Sequence, residues 1–195
     1  MLTTIFWAFN RKALPKGNLM CLHLGCGPVD YPGFINIDKY PFQHVHYLRN
    51  VKRLPHFKNE SADLIYISHC LEHFSYLEVP GILNEYYRVL KPGGILRISV
   101  PDFDKILTIY EKEQTIESIE QRVLGGHDYK FNFHYAIFNQ SYLEKLLTSA
   151  GFGTVKNWEF GTGPFKDLPD WSGKKVLVNP GNREYEISLN IEAIK

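Results

Sequence analysis

Residues 22–28 read Leu22-His23-Leu24-Gly25-Cys26-Gly27-Pro28, an apolar run that ends in two glycines one residue apart. The run from Leu19 to Leu24 has the length and composition of a buried β-strand. Two glycines at a strand end permit a tight turn and allow a ligand to approach the backbone closely. A second predicted strand, Phe34 to Ile37, ends at Asp38, whose carboxylate could accept hydrogen bonds from both hydroxyls of a ribose. We therefore predict a nucleoside-binding site at this edge of a sheet.

The glycine turn differs from the fingerprint of dinucleotide-binding proteins. That fingerprint, G-x-G-x-x-G, requires a third glycine where this chain has Asp30. The connection from Pro28 to Gly33 contains two prolines, so it cannot form the helix whose N-terminus would bind a pyrophosphate. The expected ligand is an adenosine compound without phosphates, and a nicotinamide-dependent oxidoreductase is the weaker alternative.

Two more apolar runs, Asp63 to Ser68 and Ile95 to Val100, predict strands that are buried on both faces. Between them, apolar residues from Val79 to Leu90 recur at helical spacing, and Pro92-Gly93-Gly94 is expected to end that helix. Strands that alternate with helices in this way indicate a parallel sheet covered on both faces.

The C-terminal part of the chain predicts a different arrangement. Ser141 and Glu144 form a capping box that starts a helix, and Gly151 ends it. From Tyr185 to Ala193 apolar and polar residues alternate, which is the pattern of an antiparallel strand with one buried and one solvated face. Residues 161–184, Gly161 to Glu184, are rich in glycine and proline, and a loop of this length is usually either functional or disordered.

The composition is that of an ordinary globular protein. The chain has 195 residues, of which 44% are hydrophobic, and 22 basic against 21 acidic residues give a net charge of +1. The length predicts one domain, residues 1–195. The balanced charge argues against binding to nucleic acid, which requires a basic excess. The sequence does not separate a monomer from a homodimer.

The cysteines and the N-terminus bear on the cellular compartment. Cys21, Cys26 and Cys70 are too few and too scattered for a disulfide framework, and no pair has the C-x-x-C spacing of a zinc site. We expect a reducing, cytoplasmic environment and no metal site.

No apolar run is long enough to cross a bilayer, so stable membrane insertion is not expected. Residues 1–18 begin with an apolar stretch that lacks the features of a signal peptide, and we predict that they dock onto the domain.

Several stretches of the sequence follow one another in the order found in a known enzyme family. They are Leu24-Gly25-Cys26-Gly27, Asn36-Ile37-Asp38, Asn50-Val51-Lys52-Arg53-Leu54-Pro55, His69-Cys70-Leu71-Glu72-His73-Phe74, and Arg88-Val89-Leu90-Lys91-Pro92-Gly93-Gly94. The ordered set resembles class I S-adenosylmethionine (SAM)-dependent methyltransferases, in the branch near the ubiquinone-biosynthesis type. Within that class it resembles the small bacterial, methyltransferase type 11-like proteins.

The resemblance implies that SAM is the cofactor. The implied cofactor-binding residues are Gly25, Cys26 and Gly27 for the methionine part, Asp38 for the ribose, Asn50 and Val51 for the adenine, and His69 in the loop that faces the cofactor. The implied fold is α/β and Rossmann-like, with a mostly parallel seven-stranded sheet and an antiparallel C-terminal strand. The chain departs from the family in two ways. The helix between the first two strands is missing or reduced, and Asn50 stands where aspartate is commoner, although an asparagine carbonyl still accepts a hydrogen bond.

Methyl transfer to a hydroxyl would also need a general base. The candidate bases are His69, His73, Asp102, His127 and His134. We favour His134, followed by His73, because His134 lies in an aromatic stretch that is expected to cross the open edge of the sheet. Burial among aromatic rings would lower its pKa and keep the imidazole neutral.

The acceptor is not named by the sequence. Nothing in it chooses between a sugar hydroxyl, a small metabolite and a protein side chain. The chain also resembles small bacterial methyltransferases associated with surface polysaccharide biosynthesis, and we expect a small-molecule or sugar acceptor that is methylated at oxygen. We expect residues 161–184 to contribute to the acceptor side through Phe165, Asp167, Asp170 and Trp171, and the alternative is a solvated hairpin loop. A protein of this fold that binds SAM without catalysis is the alternative function.

Overall fold

The computed structural model describes residues 12–163 and 165–195. Its strands are β1 (Cys21–Leu24), β2 (Phe34–Asp38), β3 (Tyr47–Leu48), β4 (Ala62–Ser68), β5 (Leu90–Pro101), β6 (Thr154–Asn157), β7 (Lys175–Val178), β8 (Arg183–Glu186) and β9 (Ser188–Ile194). Its helices are α1 (Val79–Val89), α2 (Phe103–Glu113), α3 (Glu120–Leu124) and α4 (Gln140–Ser149), with a 3₁₀ turn at Leu71–His73. Most of the predicted N-terminal docking segment, residues 1–18, lies outside the described residues.

Within the described residues, seven strands form one sheet in the order β3-β2-β1-β4-β5-β9-β6. β1 is parallel to both β2 and β4, β2 is parallel to β3, and β4 is parallel to β5. β9 enters between β5 and β6 and is antiparallel to both. The predicted α/β fold, a mostly parallel seven-stranded sheet with an antiparallel C-terminal strand, is therefore confirmed.

The central strands are apolar because the sheet is covered. β1 is buried along its whole length, and α1 buries Val79, Leu83 and Tyr86 in the same core cluster. Each such side chain contributes about 1.5–3 kcal/mol when it is fully buried. α1 ends one residue earlier than predicted, and Pro92-Gly93-Gly94 lie within β5 instead of separating it from the helix.

The connection from β1 to β2 forms turns, and the structure has no helix between these two strands. Gly25 and Gly27 adopt positive φ angles of +63° and +53°. The Gly25 N–H donates a 2.8 Å hydrogen bond to the Ile37 carbonyl and so ties the turn to β2. The predicted loss of this helix is confirmed.

The start of α4 differs from the prediction. Asn139 is the N-cap, and its side chain accepts a hydrogen bond of 3.1 Å from the Tyr142 N–H. The predicted capping box of Ser141 and Glu144 is wrong, because Ser141 lies inside the first turn, where its hydroxyl donates to Asn139. The predicted end is confirmed by Gly151, which has a φ of +105°.

The predicted single strand from Tyr185 to Ala193 is two strands, β8 and β9. The expected solvated face of β9 is wrong, because Ser188 and Glu192 are buried. Glu192 is accommodated there by the Arg97 guanidinium at 2.8 Å and the Lys156 ammonium at 3.1 Å. Its charge is therefore neutralised inside the protein.

Residues 161–184 are more ordered than a plain loop. β7 lies inside this range and pairs with β8 as an antiparallel hairpin. Outside β7 and β8, the described residues of this range form turns, bends and irregular chain. Among them, Asp170 accepts a hydrogen bond from the hydroxyl of Tyr66 in β4. Across the described part of the chain, no helix has both the length and the apolar character needed to span a membrane.

Candidate active site

A cavity of about 950 Å³ lies at the carboxyl ends of β1, β2 and β4. The strand order reverses at this point, since β1 has β2 on one side and β4 on the other. Open α/β sheets bind their ligands in this crevice. The cavity is lined by every residue predicted to contact the cofactor, namely Gly25, Cys26, Gly27, Asp38, Asn50, Val51 and His69.

The two glycines of the turn have different roles. A side chain at Gly25 would place its Cβ 2.3 Å from the Cys70 sulfur. The Cys70 side chain therefore occupies the space that a Cβ would need. A Cβ at Gly27 would meet no atom within 4 Å, and this residue lines the cavity. Gly25 thus permits the close packing of the turn, whereas Gly27 leaves its backbone open to a ligand.

Asp38 is held in place by the backbone around it. Its Oδ2 accepts a hydrogen bond of 2.8 Å from the Gly27 N–H, and its Oδ1 accepts one of 2.7 Å from the Tyr40 N–H. The carboxylate is therefore fixed in orientation at the tip of β2. Each oxygen keeps further acceptor capacity for a ligand hydroxyl.

Asn50 and Val51 form the wall beyond β3. The Asn50 Oδ1 accepts a hydrogen bond of 3.0 Å from the Lys52 N–H, which orients the amide. Val51 is buried and contributes apolar surface to the same cavity. A flat apolar ring with an amino group would find both kinds of contact here.

His69 joins the end of β4 to the C-terminal part of the chain. Its Nε2 donates to the Ser188 hydroxyl at 2.8 Å, because that hydroxyl already donates to the Trp171 carbonyl. Nδ1 therefore carries the free lone pair, and it lies 3.6 Å from a Glu72 carboxylate oxygen. Burial lowers the pKa of His69 to about 4, so the imidazole is neutral at neutral pH.

His73 and His134 are brought together by the fold although they are far apart in the sequence. Their ring centroids lie 5.0 Å apart in an edge-to-face arrangement. His73 Nδ1 bonds the Phe133 carbonyl at 3.0 Å, and His134 Nδ1 bonds the Arg122 carbonyl at 3.1 Å. Burial lowers the pKa of both imidazoles, to about 4 for His134. The lowered pKa of His134 agrees with the expectation from its aromatic surroundings.

A second cavity of about 460 Å³ adjoins the first. His69, His73, Tyr129 and Trp171 line both cavities, whereas His134 lines the second alone. The remaining walls of the second cavity include the polar side chains of Gln121, Arg122, Asp128 and Asn132. Two adjoining cavities with a common wall are suited to hold two ligands side by side.

The segment 161–184 reaches this site through only some of the predicted residues. Asp170 and Trp171 line the first cavity, and Asp170 accepts a hydrogen bond from the Tyr66 hydroxyl. Phe165 packs on Phe34 with ring centroids 4.4 Å apart, outside both cavities. Asp167 also lies outside both linings.

Two candidate bases are placed away from both cavities. Asp102 caps α2 by accepting a hydrogen bond from the Asp104 N–H, and burial raises its pKa. The exposed His127 bonds the Leu124 carbonyl and stacks on Phe133. Neither residue lines either cavity, so the candidates that the structure places at the cavities are His69, His73 and His134.

Sequence reasoning missed one wall of the first cavity. Tyr40 follows Asp38 and contacts Tyr129 and Phe131 with ring centroids 6.1 Å and 5.7 Å apart. The Lys39 ammonium lies 4.6 Å from the centre of the Phe131 ring. The aromatic stretch of residues 129–135 does cross this edge of the sheet, as predicted, but its contact with the residues after β2 had no signal in the sequence.

Comparisons with known proteins agree with this fold. A family model described as a methyltransferase domain matches residues 29–98, a little more than one third of the chain. No curated protein sequence matches the chain.

Solved structures share the fold at low sequence identity. One is a SAM-dependent methyltransferase of Thermotoga maritima described as a possible histamine N-methyltransferase, with a TM-score of 0.55, 21% identity, and coverage of 93% of this chain and 84% of that one. A SAM-dependent methyltransferase of Archaeoglobus fulgidus has a TM-score of 0.54 at 16% identity, covering 99% and 94%. The 1,6-didemethyltoxoflavin-N1-methyltransferase of Burkholderia thailandensis, solved with bound 1,6-didemethyltoxoflavin and S-adenosylhomocysteine, has a TM-score of 0.53 at 15% identity, covering 99% of this chain and 76% of that one.

The fold and the matched segment agree with each other. The chain has the fold of SAM-dependent methyltransferases, and residues 29–98 match the model of a methyltransferase domain. Both findings agree with the resemblance seen in the sequence.

Proposed function

We propose that this enzyme transfers the methyl group of SAM to a hydroxyl group of a small-molecule or sugar acceptor. SAM would occupy the larger cavity and the acceptor the second cavity. The observation that carries this proposal is the common wall of the two cavities, formed by His69, His73, Tyr129 and Trp171. A ligand in one cavity would lie directly beside a ligand in the other, as transfer between them requires.

The cofactor contacts follow from the larger cavity. Gly25, Cys26 and Gly27 would lie under the methionine part, and the oriented carboxylate of Asp38 would accept the ribose hydroxyls. Asn50 and Val51 would hold the adenine, and His69 would face the cofactor from the end of β4. These assignments are supported by the position of each residue on the cavity wall.

The proposed acceptor matches the chemistry of the second cavity. Side chains of Gln121, Asp128 and Asn132 offer hydrogen-bond donors and acceptors, and Trp171 adds an aromatic surface. A polar ring compound with several hydroxyls can use both kinds of contact. We further propose a role in polysaccharide biosynthesis in the cytoplasm, a reducing compartment in which the three free cysteines would persist.

The reaction would be an in-line displacement. The acceptor oxygen attacks the methyl carbon, a C–O bond forms as the C–S bond breaks, and S-adenosylhomocysteine leaves. SAM supplies its own leaving group, so the protein contributes mainly alignment and the exclusion of water. The hydroxyl proton passes to a base, for which we propose His134 with His73 beside it. Burial lowers the pKa of both imidazoles, so they are neutral and able to accept a proton.

Two measurements test the proposal. We expect calorimetry to detect binding of SAM and no binding of NAD. Binding of NAD without binding of SAM would overturn the proposal. SAM with a labelled methyl group should then transfer label to one member of a panel of sugars and small hydroxyl compounds. Binding of SAM with no transfer to any hydroxyl, amine or thiol in that panel would support a non-catalytic SAM-binding protein instead.

A further inference from the structure

Three side chains with metal-ligating atoms converge on the second cavity, which all three of them line. Glu72, His73 and His134 each offer one ligand atom, and these three atoms lie within 4.8 Å of one another. Atoms that bind one zinc ion lie about 3–4 Å apart, so only a small contraction separates this arrangement from a coordination site.

The Glu72 carboxylate lacks a hydrogen-bond donor among the described residues. The residue is only 1% exposed, and neither carboxylate oxygen receives a hydrogen bond from that part of the chain. The nearest imidazole nitrogen, His69 Nδ1 at 3.6 Å, carries a lone pair instead of a proton. A carboxyl group buried without a donor from another residue is stable only when it is protonated or when a cation binds it.

The position of this carboxylate is fixed by the backbone of its own residue. The Glu72 carbonyl accepts hydrogen bonds from the N–H groups of Tyr135 (2.8 Å) and Ala136 (3.2 Å). These bonds join the loop after β4 to the chain that follows His134. The carboxylate is therefore held beside the two imidazoles by the fold itself.

The two imidazoles are held in the tautomer that a metal ion needs. Carbonyl oxygens only accept hydrogen bonds, so His73 Nδ1 must donate to Phe133 and His134 Nδ1 must donate to Arg122. In that tautomer each Nε2 is unprotonated and carries the lone pair of the ring. Imidazoles that bind metals commonly donate their other N–H to a carbonyl in this way.

We propose that Glu72, His73 and His134 bind a divalent transition-metal ion, with Zn²⁺ as the representative. Two imidazoles and one carboxylate are a ligand set of catalytic zinc sites, which keep a further position open. A cation here would also supply the positive charge that the buried Glu72 carboxylate lacks.

The position of the ion would deepen the proposed function, and this consequence rests on that function. Since His73 lines both cavities and His134 lines the second, an acceptor hydroxyl could take the open position. Coordination lowers the pKa of a bound oxygen ligand. With the ion bound, the two histidines would act on the hydroxyl through the metal, and direct proton transfer to His134 would be replaced.

Calorimetric titration of the untagged, metal-free protein with Zn²⁺ tests the site without any substrate. We expect one ion per chain, a higher melting temperature in its presence, and visible absorption bands when Co²⁺ is used instead. Glu72→Gln keeps the size of the side chain and removes its charge. Both Glu72→Gln and His134→Ala should weaken Zn²⁺ binding by at least about 100-fold.

His127→Ala is the matched control, because His127 is a nearby histidine that lies outside the cluster and is exposed. It should bind Zn²⁺ as the unmodified protein does. SAM binding, measured on each variant, reports whether the variant is folded. The proposal is overturned if the unmodified protein binds no Zn²⁺, if folded Glu72→Gln binds it as tightly, or if His127→Ala loses it equally. Failure of SAM binding with Zn²⁺ binding intact would instead overturn the proposed function and leave the metal site standing.

Discussion

The backbone N–H of Gly27 donates a 2.8 Å hydrogen bond to Oδ2 of Asp38. This bond joins the turn after β1 to the tip of β2. The two features that first indicated a nucleoside site, the paired glycines and the acid at a strand end, are thus parts of one structural unit. A change in either residue is expected to disturb the position of the other.

Asp38→Ala should weaken SAM binding. We expect a loss of about 1.5–3 kcal/mol, the scale of hydrogen bonds to a charged group, because the ribose hydroxyls lose their acceptor and the Gly27 N–H loses its partner. Calorimetry measures the loss directly. Asp30→Ala is the control, since Asp30 pairs with Lys12 on the surface and lies outside the cavity lining. Equal affinity for SAM in Asp38→Ala and the unmodified protein would remove Asp38 from the site.

Alanine at Gly25 and at Gly27 should have separable effects. Both positions have positive φ, which costs a residue with a Cβ roughly 1–2 kcal/mol. Gly25→Ala also forces its Cβ against the Cys70 sulfur, and crowding of this kind adds about 1–3 kcal/mol. Chemical denaturation should therefore show the larger loss of stability for Gly25→Ala.

Gly27→Ala should instead act mainly on the ligand. Its Cβ meets no protein atom within 4 Å and points into open space beside the proposed methionine site. We expect a clear loss of SAM affinity in a protein that is more stable than Gly25→Ala. The reverse order, with Gly27→Ala the less stable variant and its SAM affinity intact, would contradict the roles given to the two glycines.

The central sheet was predictable because its strands are apolar on both faces. β1, β2 and β4 each stand out as a short apolar run between turn residues. β3 was missed because it has only two residues, both half-buried. The solvated face assigned to β9 was wrong because Glu192 is neutralised by Arg97 and Lys156, and such partners come from other strands that a local pattern cannot show.

The cofactor side of the site could be predicted from local sequence patterns, whereas the acceptor side could not. The cofactor side depends on strand ends, and residues at the carboxyl ends of neighbouring parallel strands meet at one edge. The acceptor side depends on contacts between distant segments. His134 lies beside His73 and Glu72 because the Glu72 carbonyl pairs with Tyr135 and Ala136, and no spacing in the sequence indicates that bond.

The pairing of Glu192 predicts a contribution to acid stability. Burial raises its pKa, but the hydrogen bonds from Arg97 and Lys156 outweigh burial, so the pKa in the folded protein is lowered. A lowered carboxylate pKa gives stability that is fully present above the unfolded value of about 4.3 and is lost as the pH falls through the folded value. The loss should be seen as a falling free energy of unfolding below about pH 5.

Glu192→Gln tests this contribution by denaturation at several pH values. At pH 7 it should lose about 3 kcal/mol, because the buried ion pair of Glu192 with Arg97 loses its negative charge. Its stability should also fall less steeply on acidification. Glu60→Gln is the control, since Glu60 is exposed and its ion pair with Lys195 is expected to contribute about 0–1 kcal/mol. Parallel pH profiles for Glu192→Gln and the unmodified protein would refute the assignment.

His134→Ala should separate catalysis from cofactor binding. His134 lines the second cavity but not the first, so SAM affinity should stay within about twofold, whereas loss of a general base costs about 10²–10⁴ in turnover. The comparison uses the acceptor found by the labelling experiment, with kcat measured at saturating SAM.

The control variant His127→Ala should leave turnover unchanged, because the His127 ring reaches neither cavity. His73→Ala should affect both quantities, since His73 lines both cavities. A His134→Ala enzyme with normal turnover would show that the acceptor is activated elsewhere, and one with weakened SAM binding would show that the two cavities do not act as separate sites.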